Sequence, residues 1–433
     1  MKYFFVETYG CQMNKADSTS VIENLKNAGF VQVNDPINAD FVIINTCSVR
    51  KTAESRIWGR LGFFKGLKAK KNLTTLVMGC MSERVGEDFF LSNHSVDIVV
   101  GNFYKDKIPS IIHNYKKGER LAFIGEKDLN FGYSFPDEEN PKKAFVTISH
   151  GCNNFCSYCI VPYLRGREKS RPSKEIIDDI ARLADKGVIQ VTLLGQNVNS
   201  YGKDSDDISF SQLLKKICRD TNIGWIKYLS SHPKDLDDDL IETIITEDKV
   251  SKWLHLAVQS GSNNILQKMN RHYTIESYIE KVEKLKKNIR NLNITTDIIV
   301  GFPGETKLDF VDTVNLVKQI QFDDAYMYKY NVRENTHAAN QLIDDVPEEE
   351  KLERLATIIN LQREISYKNK QNRLGNIYDT IAEKESKKNE NEIFGFTKEE
   401  LAIVFNGDKN DFHGIVKLKA TKIEGNTLFG EKI

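Results

Sequence analysis

Apolar runs typical of strands alternate with helical patterns through the first 124 residues. The strand-like runs are residues 2–6 and the segments F-V-I-I-N-T-C, T-L-V-M-G-C and D-I-V-V. Helical patterns lie between and after them, at about 17–27, 52–70 and 106–115. Alternating strands and helices favour a parallel α/β sheet. We therefore predict an N-terminal α/β domain over residues 1–124.

A second alternating series begins at Ala144 and ends in a long charged helix near 348–373. Its predicted strands are 144–149, 188–194, 225–230, 253–258, 293–300 and 324–330. Its predicted helices are 173–185, 209–220, 237–246, 274–288 and 307–320. Thr306 with Asp309 predicts a cap for the last of them. Six strand–helix units without a seventh and eighth indicate an open, partial barrel over residues 144–373, with catalytic residues at the carboxyl ends of its strands.

The remaining segments have different patterns. Residues 125–143 lack periodicity and carry Gly, Pro and a charge run, so we predict a linker there. After Gly375, short strand patterns replace the helices. They predict a small antiparallel barrel or sandwich over residues 374–433.

Charge and hydropathy narrow the classes of protein to consider. The 433-residue chain carries 61 basic and 61 acidic residues, so its formal net charge is zero. This balance gives no support to nucleic-acid binding by the chain as a whole, and any basic surface must be local. No apolar run approaches the length of a membrane span, and the run at the start is too short for a signal peptide. We therefore expect a cytoplasmic chain whose seven cysteines are thiols rather than disulfides.

Three of these cysteines, Cys152, Cys156 and Cys159, have the spacing C-x3-C-x2-C on the loop after the first barrel strand. Thiolates this close in sequence can bind one metal centre. A four-iron cluster held by three cysteines leaves one iron open to a small molecule. A zinc site completed by His150, or three unrelated thiols, would also fit the residues.

Three more cysteines are remote in sequence, but each ends a predicted strand. They are Cys11, Cys47 and Cys80. Ligands gather at the carboxyl ends of strands in parallel α/β sheets, so we predict that these thiols meet at one edge and hold a second cluster. The alternative is three separate buried cysteines. Cys218 lies in an amphipathic helix and is predicted to be an inert core thiol.

The cysteine motifs resemble those of a known family. C-x3-C-x2-C resembles the radical S-adenosylmethionine (SAM) superfamily, and T-Y-G-C-Q-M-N, N-T-C-S-V-R and V-M-G-C-M-S resemble the methylthiotransferases within it. The resemblance implies an α/β fold class: a flavodoxin-like N-terminal domain, a partial (β/α)6 radical SAM barrel, and a small all-β, OB-like TRAM domain that binds RNA. It also implies two [4Fe–4S] clusters, an auxiliary one on Cys11, Cys47 and Cys80 and a radical one on Cys152, Cys156 and Cys159.

SAM contacts are expected from polar and aromatic residues near the carboxyl ends of the barrel strands. In the family, an aromatic residue in the position of Tyr158 lies against the adenine of SAM. The other candidates are Gly195, Gln196, Asn197, Ser230, His232, Gln259, Ser260, Arg271, Asp297 and Arg333. For each polar residue alone, a structural hydrogen bond or helix cap is an equal alternative. Asn331, Asn335 and His337 stand where the family usually has serine, glycine and proline, so the shape of that turn is in question.

RNA contacts are expected at two places. A locally basic loop near the radical cluster would contact an RNA backbone or order the active site, although a charge run is often only solvated. Its charged residues are Arg165, Arg167, Lys169, Arg171 and Lys174, against Glu168. In the C-terminal domain Phe396 replaces a family arginine, and an exposed aromatic there could stack on bases. Arg50, Arg56 and Arg60 flank Cys47 and fit an ordinary solvated helix face.

The motif R-G-R-E-K-S-R resembles the tRNA-acting branch of the family. That branch implies conversion of N6-isopentenyladenosine 37 of tRNA to its 2-methylthio derivative, with two SAM molecules and a cluster-bound sulfur. The implied partners are the tRNA anticodon stem-loop and a one-electron reductase such as flavodoxin or ferredoxin, with a monomeric enzyme and no membrane. The alternatives are the branches acting on threonylcarbamoyl-adenosine or on a ribosomal-protein aspartate, and a non-catalytic iron–sulfur or zinc protein that binds RNA.

Overall fold

The computed structural model describes residues 2–48, 51–92, 95–387 and 389–433. The chain divides into two compact units, each treated by itself below. The first unit comprises Met1–Phe135, Phe145–Asn153 and Ile160–Arg171. The second unit comprises Pro136–Ala144, Asn154–Cys159 and Pro172–Ile433.

The first unit is built on a six-stranded sheet in which every neighbouring pair is parallel. Its strands are β1 (Tyr3–Thr8), β2 (Val31–Gln32), β3 (Phe41–Thr46), β4 (Thr74–Gly79), β5 (Ile98–Val100) and β6 (Leu121–Phe123). Its helices are α1 (Gln12–Asn27), α2 (Lys51–Lys68), α3 (Cys80–Val85), α4 (Asp88–Ser92) and α5 (Ile108–Asn114). The order β2-β1-β3-β4-β5-β6 contains the doubly wound flavodoxin-like order, as predicted.

Both faces of this sheet are buried because its central strands are apolar throughout. Ile43 of β3 packs on one face with Leu25 of α1, and Ile44 packs on the other with Leu61 of α2. This explains why F-V-I-I is a continuous apolar run and does not show the alternation of apolar and polar residues found in half-exposed strands. Helix α1 begins five residues earlier than predicted. Cys11 is its N-cap residue and makes no side-chain cap bond.

The first unit also contains the loop elements that follow the first barrel strand. That strand, β7 (Lys143–Thr147), begins in the second unit and ends in the first. A short antiparallel pair follows, formed by β8 (Ser149–His150) and β9 (Lys169–Ser170). The five-residue helix α6 (Val161–Arg165) lies between them in sequence.

The second unit contains the remaining barrel strands and their helices. The strands are β10 (Gln190–Leu194), β11 (Trp225–Tyr228), β12 (Trp253–His255), β13 (Asn293–Val300) and β14 (Asp324–Lys329). The helices are α7 (Ser173–Asp185), α8 (Phe210–Asp220), α9 (Asp238–Thr246), α10 (Asn263–Lys268), α11 (Ile275–Asn288), α12 (Lys307–Ile320), α13 (His337–Gln341) and α14 (Glu348–Gln371). The strands form two sheets, β11-β10-β7 and β12-β13-β14, and isolated bridges such as Ser231 to Leu256 connect β11 to β12.

Local sequence signals within this unit are reproduced in detail. The predicted cap of α12 is a reciprocal capping box: the hydroxyl of Thr306 accepts from the N–H of Asp309 at 3.2 Å, and the Asp309 carboxylate accepts from the N–H of Thr306 at 2.9 Å. Cys218 is half-buried in α8, and burial raises the pKa of its thiol to about 12. A thiol with such a pKa stays protonated, which agrees with the prediction that it is inert.

The C-terminal residues form a small closed barrel, as predicted. Its strands are β15 (Ile377–Glu385), β16 (Glu392–Thr397), β17 (Ala402–Asn406), β18 (Ile415–Glu424) and β19 (Thr427–Lys432). Their order is β15-β16-β17-β19-β18, and every neighbouring pair is antiparallel except β17 with β19.

This small barrel is fixed to the rest of the second unit by buried polar contacts. Lys227 of β11 is buried and pairs with Glu400. The amide of Asn293, at the start of β13, donates to the carbonyl of Glu399 at 2.6 Å. Phe396 is half-buried with the Lys143 ammonium 5.3 Å from its ring centre, so part of the residue is accessible and its stacking on bases stays a prediction. No helix in the described ranges is long and apolar enough to cross a bilayer.

Candidate active site

The three remote cysteines follow neighbouring strands of the first unit's sheet. Strand register pairs Thr8 of β1 with Asn45 of β3, and Thr46 of β3 with Gly79 of β4. Cys11, Cys47 and Cys80 come within three residues of those strand ends. Strands β1 and β3 flank the point where the winding of the sheet reverses, which is where doubly wound folds bind ligands. The sequence placed all three thiols at the same edge of the sheet, and the topology agrees.

The loop after β1 approaches Cys47 through a glycine. Gly10 has a φ of 130°, and a Cβ there would lie 2.8 Å from the Cβ of Cys47. Asn14 then connects the two segments, since its amide donates to the carbonyl of Thr46 at 2.8 Å while its oxygen accepts from the Cys11 thiol at 3.4 Å. Gly10 and Asn14 therefore place Cys11 beside Cys47, and sequence reasoning missed both.

Cys80 is positioned by contacts on both sides. Gly79, with a φ of 98°, brings the end of β4 against β3, because a Cβ there would lie 2.6 Å from the carbonyl of Thr46. The Asn102 amide lies 3.8 Å from the Cys80 thiol and donates to the carbonyl of Leu164 in α6 at 2.9 Å. Cys47 and Cys80 are buried and Cys11 is exposed, so the group of thiols is accessible from the side of Cys11.

A buried arginine lies beside these thiols. Arg165, at the end of α6, is only 3 % exposed and pairs with Asp17 at 3.4 Å. Burial by itself would lower the pKa of Arg165, but the neighbouring charges of Cys80, Asp17 and Cys11 raise it above its ordinary value. Asp17 also pairs with the half-buried Lys105 at 2.5 Å, and burial lowers the pKa of that lysine.

The predicted RNA-facing loop is therefore partly internal. Arg165, Arg171 and Glu168 are buried, whereas Arg167, Lys169 and Lys174 are exposed. For the buried Arg165 and Arg171, the prediction of contact with an RNA backbone is wrong. The alternative of ordering the site fits Arg165, because its ion pair with Asp17 and the Cys80 thiol removes it from the surface.

The arginines around Cys47 have separate environments. Arg50 lies outside the described residues. Arg56 is exposed, which fits a solvated helix face. Arg60 pairs with Glu7 at 2.5 Å and lies 4.2 Å from the ring centre of Phe63.

The clustered cysteines are divided between the two units. Cys152 is in the first unit, where its N–H donates to the carbonyl of Gly166 at 3.2 Å. Gly151 has a φ of 80°, and a Cβ there would lie 2.1 Å from the carbonyl of Arg167, so only glycine fits. His150 is buried and lies edge-on to Phe103, and burial lowers its pKa well below the ordinary value.

Cys156 and Cys159 lie in the second unit on a tight turn. The N–H of Cys159 donates to the carbonyl of Cys156 at 2.9 Å. Phe155 has a φ of 46°, and its carbonyl accepts from the Asn270 amide at 3.0 Å. The N–H of Ser157 donates to the carbonyl of Met269 at 3.0 Å. The segment after α10 thus fixes the conformation in which these two thiols are presented.

Arg271 contacts the Cys156 thiol directly. Its guanidinium donates to the carbonyl of Ala257 at 2.6 Å, to the Cys156 sulfur at 3.4 Å and to the Tyr158 hydroxyl at 3.5 Å. Burial would lower the pKa of Arg271, but the ionisable Tyr158, Tyr273 and Cys156 around it raise that pKa well above the ordinary value. The expected contact of Arg271 with SAM stays a prediction. The contact with Cys156 was missed because nothing in the sequence relates two residues so far apart.

The Tyr158 ring lies in an aromatic cluster next to Cys159. It meets Phe302 edge-on, with ring centres 6.4 Å apart, and Tyr330 also packs edge-on against Phe302 at 5.1 Å. Burial raises the pKa of Tyr158 well above its ordinary value, so the phenol stays neutral. A fixed, neutral ring in this position suits the expected contact with adenine.

Two of the candidates after β10 and β11 are engaged in structural hydrogen bonds. The Asn197 amide donates to Asp235 at 2.7 Å, and its oxygen accepts from the N–H of His232 at 3.3 Å. His232 is buried, and burial holds its pKa far below the ordinary value. Gly195 is buried, Gln196 is half-buried and Ser230 is exposed with a left-handed φ of 69°.

The candidates after β12 and within β13 are close together. Gln259 has a left-handed φ of 69°, and its N–H donates to the carbonyl of Asp297 at 2.8 Å. The fully buried Ser260 hydroxyl contacts Thr313 at 3.3 Å, which favours a structural role. The carboxylate of Asp297 lies 3.3 Å from the imidazole of His255, which gives this acidic residue in a strand a hydrogen-bonding partner.

The turn after β14 accommodates an asparagine in a conformation that favours glycine. Asn335 has a φ of 67°, a conformation that glycine adopts readily and that asparagine tolerates better than most residues. The carbonyl of Arg333 accepts from the Thr336 hydroxyl at 2.7 Å, and Thr336 caps α13. Asn335 therefore adopts the backbone conformation for which a glycine would be suited.

Comparison with known proteins decides the family. Residues 3–101 match the uncharacterized protein family UPF0004, and residues 146–317 match the radical SAM superfamily. A tRNA-2-methylthio-N(6)-dimethylallyladenosine synthase of Clostridium botulinum is 43% identical over 436 residues, covering 99% of this chain and 97% of the relative. A protein of the same name from Treponema denticola is 45% identical and covers 94% of each chain. The chain belongs to the MiaB-type methylthiotransferase family.

Solved structures agree with the fold of this MiaB-type chain. The radical SAM methyltransferase TsrM from Kitasatospora setae superposes with a TM-score of 0.57 at 11% identity, covering 78% of this chain and 75% of TsrM. The cobalamin-dependent radical SAM enzyme OxsB gives a TM-score of 0.52 at 12% identity, covering 84% and 56%. Both support a radical SAM fold and confirm the predicted α/β class.

The MiaB-type family uses [4Fe–4S] clusters and SAM, and the donor set fits them. All six motif cysteines are free thiols, and Arg165 and Arg271 provide buried positive charge beside Cys80 and Cys156. In the described ranges, no three His, Cys, Asp or Glu side chains are grouped as ligands of one metal ion. A four-iron cluster binds each cysteine through a different iron, so its ligands are spread around the cluster.

Proposed function

We propose that this chain is a tRNA methylthiotransferase that converts N6-isopentenyladenosine at position 37 to its 2-methylthio derivative. The observation that carries the proposal is the 43% identity, over 99% of the chain, to a relative named for that product. The sequence G-C-Q-M-N at the first cysteine supports this branch over the threonylcarbamoyl-adenosine and ribosomal-protein branches.

We propose that the two sets of cysteines bind two different clusters. We assign Cys152, Cys156 and Cys159 to the radical cluster on the strength of their spacing. We assign Cys11, Cys47 and Cys80 to the auxiliary cluster, supported by their common edge of the sheet. When bound, the clusters and SAM supply the transferred sulfur, its methyl group and the radical that removes hydrogen from C2 of adenine.

The protein's own residues orient and neutralise these groups. Arg271 holds the Cys156 thiolate and the Tyr158 hydroxyl in one arrangement, so the ring beside Cys159 is fixed before any ligand enters. Arg165 counters the negative charge of Cys80 and Cys11, with Asp17 anchoring it. Charges preorganised in this way need no rearrangement during the reaction.

Partners and SAM contacts follow from the same assignment. The substrate is the isopentenylated anticodon stem-loop of tRNA, and the electron source is a one-electron reductase such as flavodoxin or ferredoxin. We further propose that the enzyme acts as a cytoplasmic monomer. Gln259, Asp297 and Arg333 remain candidates for contacts with SAM or substrate at the carboxyl ends of the strands.

The test is an anaerobic assay of the reconstituted full-length protein with SAM, sulfide, a chemical reductant and an isopentenylated anticodon stem-loop. The expected product is 2-methylthio-N6-isopentenyladenosine, identified by mass spectrometry of digested RNA. A matched stem-loop carrying N6-threonylcarbamoyladenosine should stay unmodified. Modification of that second RNA alone would assign the protein to the branch that acts on threonylcarbamoyl-adenosine. Bound zinc without iron in the reconstituted protein would eliminate the radical chemistry.

A further inference from the structure

One face of the β12-β13-β14 sheet in the second unit is partly open. Along β13, Ile298 and Val300 are buried, whereas Asp297 and Ile299 alternate with them and are partly exposed. On β14 the residues at alternate positions, Tyr326 among them, remain exposed. Interior faces of closed βα barrels are normally filled by bulky branched side chains. Exposed polar and aromatic groups on this face therefore leave room for a ligand.

Three aromatic rings form a row across this face. The rings of Trp253 and His255 have centres 6.4 Å apart and are tilted by 31°, and the rings of His255 and Tyr326 are 5.8 Å apart. Tyr326 is 54% exposed, so a large part of this residue is accessible. Every nucleobase has a flat π-face, and base stacking on such side chains is a general mode of binding single-stranded nucleic acid.

A polar edge accompanies this row. Strand register places Asp297 directly beside Tyr326. The two nitrogens of His255 contact the Thr295 hydroxyl at 3.0 Å and the Asp297 carboxylate at 3.3 Å. These two contacts fix the orientation of the imidazole ring. Asp297 is 29% exposed at its side chain, so it can accept a further hydrogen bond from an exocyclic N–H.

The same face continues toward the radical cysteines. The next register pair on this face, two residues along the strands, is Ile299 with Tyr328, which is 40% exposed. Ile299 packs against the buried cluster of Phe302 and Tyr330, where Tyr158 also packs. Tyr158 precedes Cys159 in the sequence, so a base on this face would lie on a path that leads to the proposed radical site.

We propose that Tyr326, His255 and Asp297 form the binding site for the substrate adenine, with Tyr326 stacking on the base and Asp297 accepting its N6–H. This inference rests on the proposed tRNA substrate. The aromatic row suits a planar base, and a carboxylate suits a donor on its edge. An RNA phosphate is disfavoured here, because Asp297 would repel it. The base must leave its own stack to reach this face, as in other enzymes that act on a base.

The test compares Tyr326→Ala with Tyr326→Phe in the reconstituted full-length enzyme. Tyr326→Ala removes the ring, and we expect its KM for the isopentenylated stem-loop to rise about tenfold or more, since stacking on an aromatic side chain has an effect of that size. Tyr326→Phe keeps the ring and should stay within about twofold of wild type. Iron content and melting temperature equal to wild type establish that both variants fold.

A matched control and a second variant complete the design. Tyr133→Ala removes another exposed tyrosine, 69% accessible and in the first unit, and should leave the KM unchanged. Asp297→Asn should reduce the preference for an adenosine that carries an N6–H over one whose N6 carries no hydrogen. A wild-type KM for Tyr326→Ala would overturn the assignment of this face. Failure of the wild-type enzyme to modify any stem-loop would instead contradict the proposed function, so the two results are distinguishable.

Discussion

Each unit buries one arginine beside a thiol that we assign to a cluster, but the two arginines are neutralised in different ways. In the first unit, Arg165 shares the carboxylate of Asp17 with Lys105. In the second unit, Arg271 is surrounded by the Ala257 carbonyl and the phenols of Tyr158 and Tyr273. Among the described residues, no carboxylate forms an ion pair with Arg271, and the charges that most raise its pKa are those of Tyr158, Tyr273 and Cys156.

This difference determines how much positive charge reaches each thiol. Arg165, Lys105 and Asp17 together carry a net charge of one, spread over three side chains. The charge of Arg271 is instead directed at Cys156 without competition from an acid. Removing one partner of a buried charge pair costs several kcal/mol. Because no second cation is described beside Cys156, we expect the second site to depend more strongly on its arginine than the first does.

The largest expected effect comes from removing a ligand of the radical cluster. Cys152→Ala should abolish SAM cleavage, because a cluster that lacks one of its three cysteines loses the geometry that holds SAM. Formation of 5′-deoxyadenosine, measured by chromatography, tests this. Cys218→Ala is the matched control, because Cys218 is a protonated thiol outside both sets. Normal SAM cleavage by Cys152→Ala would contradict the assignment of Cys152 to the radical cluster.

Loss of a cysteine in the first unit should separate the two sites. Cys11→Ala should retain SAM cleavage but yield no methylthiolated RNA, because the auxiliary cluster alone carries the transferred sulfur. Both products are measured in one anaerobic reaction. Methylthiolated RNA from this variant would contradict the assignment of Cys11 to the auxiliary cluster.

The next effect tests the dependence of the second site on its arginine. Arg271→Met should lower SAM cleavage by at least about 100-fold, since losing the partner of a buried charge typically costs about 3 kcal/mol or more. Arg271→Lys keeps the charge and should recover part of the activity. In a Cys11→Ala background, bound iron reports the radical cluster, so iron content shows whether Arg271 holds that cluster. Full iron and full cleavage in Arg271→Met would remove the contrast between the units.

The sequence was sufficient to predict features that depend on residues close together in the chain. The positions of Cys47 and Cys80 follow from apolar runs that end at a thiol, and the Thr306–Asp309 cap follows from two residues three apart. The resemblance to methylthiotransferases identified the family, because the cysteine motifs are contiguous. Each of these features depends on neighbours within a few residues.

The sequence was insufficient where a side chain depends on a distant partner. Arg165 and Arg167 look equivalent in R-G-R-E, yet Arg165 is buried because Asp17 lies 148 positions away in sequence and next to it in space. The contact between Arg271 and Cys156 spans 115 positions. Basic loops are therefore poor evidence for RNA contact until burial is known.

The smallest expected effect concerns the potential of the auxiliary cluster. Arg165→Met removes one positive charge beside Cys80, so the added electron of the reduced cluster is less stabilised and the potential should fall. At an effective dielectric constant of about 20, a nearby unit charge contributes a few kcal/mol, or roughly 100 mV. Because Lys105 and Asp17 remain, the fall should be at the lower end of that scale. A redox titration followed by electron paramagnetic resonance measures it.

The exposed Arg167 offers a matched control for that titration, since Arg167→Met removes the same charge two residues away. Its cluster potential should equal the wild-type value, because solvent screens a surface charge. Equal potentials in all three proteins would mean that Arg165 serves only to pack the loop. A fall confined to Arg165→Met would show that the shared carboxylate reduces, but does not cancel, the influence of the buried arginine on the thiols.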